Sequence, residues 1–304
     1  PNQGDAWKYT ITTLADYFEG ALHLPLRTPP KVASYHPLAL MESGLPKDAP
    51  GVIGSYLESA KLLGDRTARM HAALTDTNAG PDFAPEPMTE KARAELHQDL
   101  VFDAKAMLAL LRQMRSKLRP QESEDAEKVL AIEDRILGRF EPLLDNPIRA
   151  QRIRFHGDFH LGQVLYTGQD FKIIDYEGEP ARGLNERRRK GLAMRDVAGM
   201  IRSFQYAPYA ALFGAAPVLT PTVDTLPVLV SYANFWTACV GAAYLQSYFD
   251  AAAGLPSVPS DRGERKLLLD VFLLQKALYE VGYELNNRPD WVSIPLRGIL
   301  TLLT

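Results

Sequence analysis

The chain has few of the features that most readily betray a function. Among 304 residues there is one cysteine, Cys239, which excludes an internal disulfide framework and any cysteine-rich zinc site. It lies in an apolar run, so a small core residue is expected rather than a nucleophile. Neither sign of charge is in excess. With 34 basic and 37 acidic residues the net is −3, and no surface for a polyanion such as nucleic acid is advertised. The polar opening PNQGDAW has no hydrophobic leader. From Leu226 to Phe249 formal charge is absent, over a length that could span a bilayer. Yet that run contains Asn234, Gln246, two serines, three tyrosines and a proline, and it lacks basic flanks, so a buried helix is expected. A cytoplasmic protein that engages neither membrane nor nucleic acid fits these absences. Strand–helix alternation and a Gly-rich phosphate loop are also missing, which argues against Rossmann and P-loop architectures.

What the chain does have is helix. Periodicity predicts helices over Trp7–Leu22 and Gly54–Leu74, with a Pro-rich loop between them through Pro50. A Pro/Asp/Gly-rich connector, Asn78–Pro87, leads to a helix from Glu90 to about Leu118. Pro120 breaks that helix, and Ser123 is read as the N-cap of a fourth running to Leu144. Later helices are expected near Leu192–Tyr206, Leu226–Ala252, Glu264–Asn286 and Ile294–Leu303. The loops at 80–87 and 214–222 do not compel a domain boundary.

One stretch breaks the pattern: RFHGDFHLGQVLYTGQDFKIIDYEGEP, Arg154 to Pro180. Gln163–Tyr166 and Phe171–Ile174 are short β-rich runs joined by Thr167-Gly168-Gln169-Asp170, a hairpin signature. Around it stand His156, Asp158, His160, Gln163, Asp175 and Glu177. Two chemistries could use this set. A metal hydrolase could take His156, Asp158 and His160 from alternate positions of an extended segment, but the other histidines (His23, His36, His71, His97) have no partner spacing such as HExxH. A phosphotransferase needs a carboxylate to position an acceptor hydroxyl, then an amide and an acid to hold magnesium. Gln163 follows Asp158 by five residues and Asp175 follows the second strand, as in the kinase template. The amide carbonyl of Gln163 is an oxygen that magnesium accepts. On this reading Asp158 is the base, Gln163 and Asp175 the metal ligands, and Glu177 a further ligand or a support to them.

The motif HGDFHLGQVL, followed by IIDYEGEPA and RDVAGMIRSFQYA, resembles the catalytic region of bacterial maltokinases, within the aminoglycoside phosphotransferase and protein-kinase-like superfamily. PNQGDAW at the start and YELNNRPDWVSIPLRGI near the end resemble the same family, so the likeness runs through the whole chain. Tyr176 departs from it, standing where Phe is common, and keeps the apolar ring. The resemblance implies a mainly α fold with a small β-hairpin, the C-terminal lobe of a kinase-like enzyme. It implies transfer of the ATP γ-phosphoryl to the anomeric hydroxyl of maltose, with Mg2+, giving maltose 1-phosphate for α-glucan or trehalose metabolism. A fusion to, or association with, trehalose synthase is left open. Another acceptor (an aminoglycoside, choline or another sugar) and a non-catalytic kinase-like module are the alternatives. His156 and His160 become loop-positioning residues. Asp196 resembles the helical aspartate that accepts backbone N–H bonds from the catalytic loop.

Acceptor recognition is expected on the helix at 264–286. There Leu267, Val271, Leu274, Leu278, Val281 and Leu285 make one apolar face, and Lys276, Tyr279, Glu280 and Tyr283 fall opposite. A solvated face would look the same, but two tyrosines beside a lysine and a glutamate also suit a sugar. The resemblance favours the sugar site, with Trp291 walling it. Glu186-Arg187-Arg188-Arg189-Lys190 reads as a solvated loop. Expected parts are a helical portion at 1–150, the catalytic loop and metal hairpin at 151–180, and a helical acceptor portion at 181–304. The N-terminal lobe that a kinase needs, with its phosphate loop, strand lysine and helical glutamate, finds no counterpart in the sequence. Pro1 is read as lying just past the hinge, and the chain alone is expected to be inactive.

Overall fold

The structure, a computed structural model, describes residues 2–24, 28–179, 183–213 and 217–303. Pro1, on which the hinge was placed, lies outside these, as do Pro180 and Ala181 of the metal-motif stretch and residues 214–216 of the second loop. In chain order the helices are α1 (Ala6–His23), α2 (Pro37–Ser43), α3 (Ala49–Ile53), α4 (Tyr56–Ala73), α5 (Glu90–Met114), α6 (Pro120–Leu130), α7 (Glu133–Gly138) and α8 (Pro142–Asp145). The strands β1 (Val164–Tyr166) and β2 (Phe171–Ile173) follow. Then come α9 (Leu184–Arg187), α10 (Met194–Phe213), α11 (Leu226–Ala251), α12 (Arg262–Asn287) and α13 (Ser293–Leu303).

Two expectations are corrected. Pro120 opens α6 at its first turn, where its missing N–H costs nothing, and Ser123 lies inside that helix rather than capping it. The single helix expected to reach Leu144 is three short ones, and Pro142, with no N–H to donate to the preceding turn, opens the last of them. The Pro-rich loop before Pro50 contains α2, and α3 begins at its end.

The chain divides into two compact units. The first comprises Pro1–Ala84 and Ile153–Val258. Its centre is α11, packed on α4, α2 and α10, with Tyr232, Phe235, Trp236, Tyr244 and Tyr248 essentially fully buried. Cys239 lies on the same helix, and burial pushes its thiol up to about 12, as a core residue requires. Among the described residues α11 alone is long and apolar enough to cross a membrane, but most of that stretch is buried inside the protein.

The hairpin pairs Val164 with Ile173 and Tyr166 with Phe171. It rests on α1 and α4. The Tyr9 ring stacks on Tyr166 at 4.0 Å and on Tyr56 at 5.7 Å, and Tyr56 in turn meets Trp236. Arg66 of α4 donates to Asp170 in the turn at 2.7 Å. Residues 3–5 add an unforeseen third rung: Gln3 N–H donates to Tyr166 C=O at 2.7 Å, and Tyr166 N–H donates to Gly4 C=O at 2.9 Å.

The second unit comprises Pro85–Arg152 and Pro259–Thr304. In it α12 packs on both α5 and α13. Its interior includes two buried acids that serve backbone and cations. Glu264 accepts N–H bonds from Arg149 and Ala150, and Glu284 receives a forked bond from Arg288.

Candidate active site

The backbone of residues 156–161 is held largely by buried side chains of α10. Asp196, in the first turn of α10, is buried. Its carboxylate accepts His156 N–H at 2.7 Å and Gly157 N–H at 2.9 Å. Seven residues on, Ser203 Oγ accepts Leu161 N–H at 3.1 Å. Between them, a Cβ on Gly199 would lie 2.6 Å from Phe159 C=O, so only glycine lets the loop backbone approach. Steps of three and four residues put Asp196, Gly199 and Ser203 on one face of α10. That face is the bed on which residues 156–161 lie.

His156 is fully buried and links this loop to the end of the hairpin. Its Nδ1 lies 3.4 Å from Asp158 N–H, and its Nε2 lies 2.8 Å from Ile174 C=O. The neutral tautomer with its proton on Nε2 satisfies both contacts. Ile174 N–H donates to Gln163 C=O at 3.0 Å, which sets Gln163 beside Ile174 and Asp175 in the register. Two bonds to the backbone of Ile174 thus tie the segment carrying Asp158 to the segment carrying Asp175. Gly157, at φ +85°, occupies the left-handed region, and a Cβ there would come within 3.2 Å of Gly178 Cα. The two loops therefore touch backbone to backbone.

Asp158 is half-buried, with His160 Nε2 3.7 Å from its carboxylate. His160 also caps the turn at Leu161–Gln163, its Nδ1 accepting Gly162 N–H at 3.1 Å. The Tyr176 ring lies against His156, 5.3 Å between centroids, so its apolar body is what the site uses. Asp175 is the one described non-glycine residue in the left-handed region, at φ 63°. Asparagine and aspartate tolerate that region best, yet it costs about 1 kcal/mol.

The zinc alternative fails on this geometry. Both ring nitrogens of His156 are engaged by backbone groups, and among the described residues no cluster of three or more His, Cys, Asp or Glu side chains could hold a metal. Magnesium makes a smaller demand. It is commonly bound by one or two carboxylates, with phosphate oxygens and water completing the shell. The exposed carboxylates of Asp175 and Glu177 and the amide of Gln163 are hard oxygen donors of that kind.

The run 186–190 is more tightly held than a solvated loop. Lys190 Nζ donates to the carbonyls of Pro81 and Ala84, at 3.1 and 2.8 Å. Arg187 lies along Gly178, its guanidinium 3.3 Å from Glu177 C=O, and Arg188 C=O accepts from Arg154. Loop carbonyls brought near by folding accept these cations, and spacing gave no sign of them.

The stripe on α12 belongs to the second unit. Its apolar side is broader than one face: Leu268, Leu269, Phe272, Leu273 and Ala277 are buried along with the expected Val271, Leu274, Leu278, Val281 and Leu285, whereas the expected Leu267 is only partly covered. Glu280 is buried as well, while Tyr283 is 46% exposed. Lys276 sits 4.8 Å over the Tyr279 ring, and Arg288 lies 5.4 Å from the centre of Tyr283 and 4.5 Å from that of Trp291. Each of the three aromatic rings thus has a cation within cation–π distance.

The fold, with the loop at 156–161 laid on a helix and braced against a two-stranded hairpin, is that of kinase-like phosphotransferases. Residues 26–212 match the phosphotransferase enzyme family, and the chain belongs to that family. It is similar to a glucosamine kinase of Streptacidiphilus jiangxiensis, 28% identical over 244 residues, covering 80% of this chain and 49% of the relative. Another relative, a glucosamine kinase of Mycolicibacterium smegmatis, is 26% identical over 255 residues, covering 83% and 55%. A solved glucosamine kinase in complex with glucosamine, ADP and inorganic phosphate superposes with a TM-score of 0.70 at 23% identity, over 99% of this chain and 58% of that one. A crystal form of glucosamine kinase gives 0.69 at the same identity and coverage. The chain spans about half the length of the curated relatives it matches.

Proposed function

We propose that this chain carries the catalytic and acceptor-binding part of a sugar kinase, which transfers the γ-phosphoryl group of ATP to a sugar hydroxyl. The observation that carries the reading is the hold of Asp196 on His156 and Gly157, which presents Asp158 beside the hairpin that leads to Asp175. Asp158 orients the acceptor hydroxyl and takes its proton as the new O–P bond forms and the bond to the ADP oxygen breaks. Magnesium, when bound, neutralises the phosphate oxygens, and Gln163, Asp175 and Glu177 are the residues suited to hold it. His156 and His160 keep the loop in shape around the base. The resemblance assigns acceptor recognition to Lys276, Tyr279, Glu280, Tyr283 and Trp291. The buried thiol and the use of ATP suit the cytoplasm.

The acceptor we favour is maltose, phosphorylated at its anomeric hydroxyl. Its support is the set of stretches that resemble maltokinases from PNQGDAW to YELNNRPDWVSIPLRGI. A second reading, glucosamine, is favoured by the two glucosamine kinase relatives. Steady-state assays of the full-length protein with ATP, Mg2+ and each sugar separate them. A kcat/KM at least about tenfold higher for maltose, about 1.4 kcal/mol in transition-state binding, supports the first reading, and the reverse assigns the second. Turnover of neither sugar overturns both. Asp158→Asn should lower kcat by about 10²–10⁴ without changing the thermal midpoint, and near-wild-type turnover would remove Asp158 as the base.

A further inference from the structure

His71 lies on α4, 125 residues before Asp196, and is fully buried. Its Nε2 is 3.1 Å from Asp196 Oδ2, the same oxygen that accepts His156 N–H. Its Nδ1 is 3.0 Å from the Tyr248 hydroxyl on α11. We propose that His71 is a positioning residue for phosphoryl transfer, fixing the catalytic loop and thereby Asp158 through the Asp196 carboxylate. The proposal rests on the reading of Asp158 as the base.

A buried carboxylate must be met by donors on every side it presents. Asp196 has three: two backbone amides of the catalytic loop and the ring of His71. The amides belong to the segment being placed, so they cannot also be what holds the carboxylate against it. His71 is the donor from outside that segment. For Nε2–H to donate, Nδ1 of the neutral ring must accept, and the Tyr248 hydroxyl is there to donate. Burial keeps that phenol protonated. The bonds run in one direction, from Tyr248 to His71 to Asp196 to the amides of His156 and Gly157. Three helices, α11, α4 and α10, thus converge on two peptide groups. Without His71, Asp196 Oδ2 keeps a single donor, and the carboxylate is free to pivot about the loop it should anchor.

In the full-length enzyme, His71→Leu is expected to lower kcat about tenfold or more while KM for sugar and ATP stays within about threefold. A Gln side chain at this position carries an N–H donor about where Nε2 lies, so His71→Gln should recover kcat to within about threefold of wild type. Hydrogen exchange gives a readout that general loss of packing does not: the amides of His156 and Gly157 should exchange faster in His71→Leu than those of Val164–Tyr166, and recover in His71→Gln. A kcat within about twofold of wild type in His71→Leu, or a Gln variant no better than Leu, overturns the proposal. Should His71→Leu not fold, Tyr248→Phe takes its place, and unchanged exchange at the two amides overturns the idea. If Asp158→Asn stays active, the base assignment fails, whereas exchange at His156 and Gly157 still decides what His71 holds.

Discussion

Asp196 would bind its proton more tightly if burial acted alone. Hydrogen bonds, that of the His71 ring first and then that of Gly157 N–H, outweigh burial and hold the carboxyl below its ordinary range. A group whose folded pKa is depressed stabilises the fold above its unfolded value, near 3.9 for aspartate, and loses that effect as pH falls through the folded value. The thermal midpoint of wild type relative to Asp196→Asn should therefore be steady from about pH 8 to 5 and shrink below about pH 4. A gap that widened in acid would contradict this electrostatic account. Asp175 makes a different prediction through its positive φ. Asparagine shares its tolerance of that region, so Asp175→Asn should shift the midpoint by no more than about 2 °C while turnover is lost, whereas Asp175→Val should also cost about 1–2 kcal/mol in a denaturant titration. The residues proposed for chemistry around the hairpin could be picked out because they share one short segment with the kinase-template spacing. His71 was not, since its partners lie 125 and 177 residues away and only folding brings them together.

Among elements, α10 shows how a helix acts as a platform. Asp196, Gly199 and Ser203 each meet the catalytic loop, two by hydrogen bonds and one by having no side chain. Gly199→Ala raises intrinsic helix propensity by about 1 kcal/mol, yet its methyl must displace Phe159 C=O. The net result should be destabilisation of about 1–3 kcal/mol, seen by urea unfolding, with a larger loss of kcat than of sugar binding. A variant more stable than wild type and equally active would show that the close approach is unimportant. The long helices were readable from periodicity, which detects an apolar stripe. For α12 the stripe held from Val271 to Leu285 but not at Leu267, and Glu280, expected on the polar side, is buried: the helix packs on both α5 and α13, and a second buried side dilutes the period. The third rung on the hairpin left no trace either. Gln3, Gly4 and Asp5 have little β-propensity and pair through backbone alone.

At the scale of the whole molecule, each unit is assembled from two separated stretches of chain. The passage at Ala84–Pro85 falls in the Pro-rich stretch at 80–87, whose composition permits a boundary but does not require one; the passage near Ile153 was legible as the place where helices give way to the hairpin. Removing residues 259–304 would take α12 from α5 and α13 from α6, and the truncated protein should bind a hydrophobic dye and lose helical signal. Unchanged dye binding would mean that α5 is stable without them. The pairing of α4 with α11 bears on synthesis as well. Helix α4 ends at Ala73 and α11 begins at Leu226. At roughly 5–20 residues per second, the ribosome needs about 8–30 s to make the chain between them. For that interval a nascent α4 presents Leu63, Thr67 and His71 with nothing to cover them. The yield of this protein in a cell is then expected to depend on translation speed and on the chaperones that shield emerging helices.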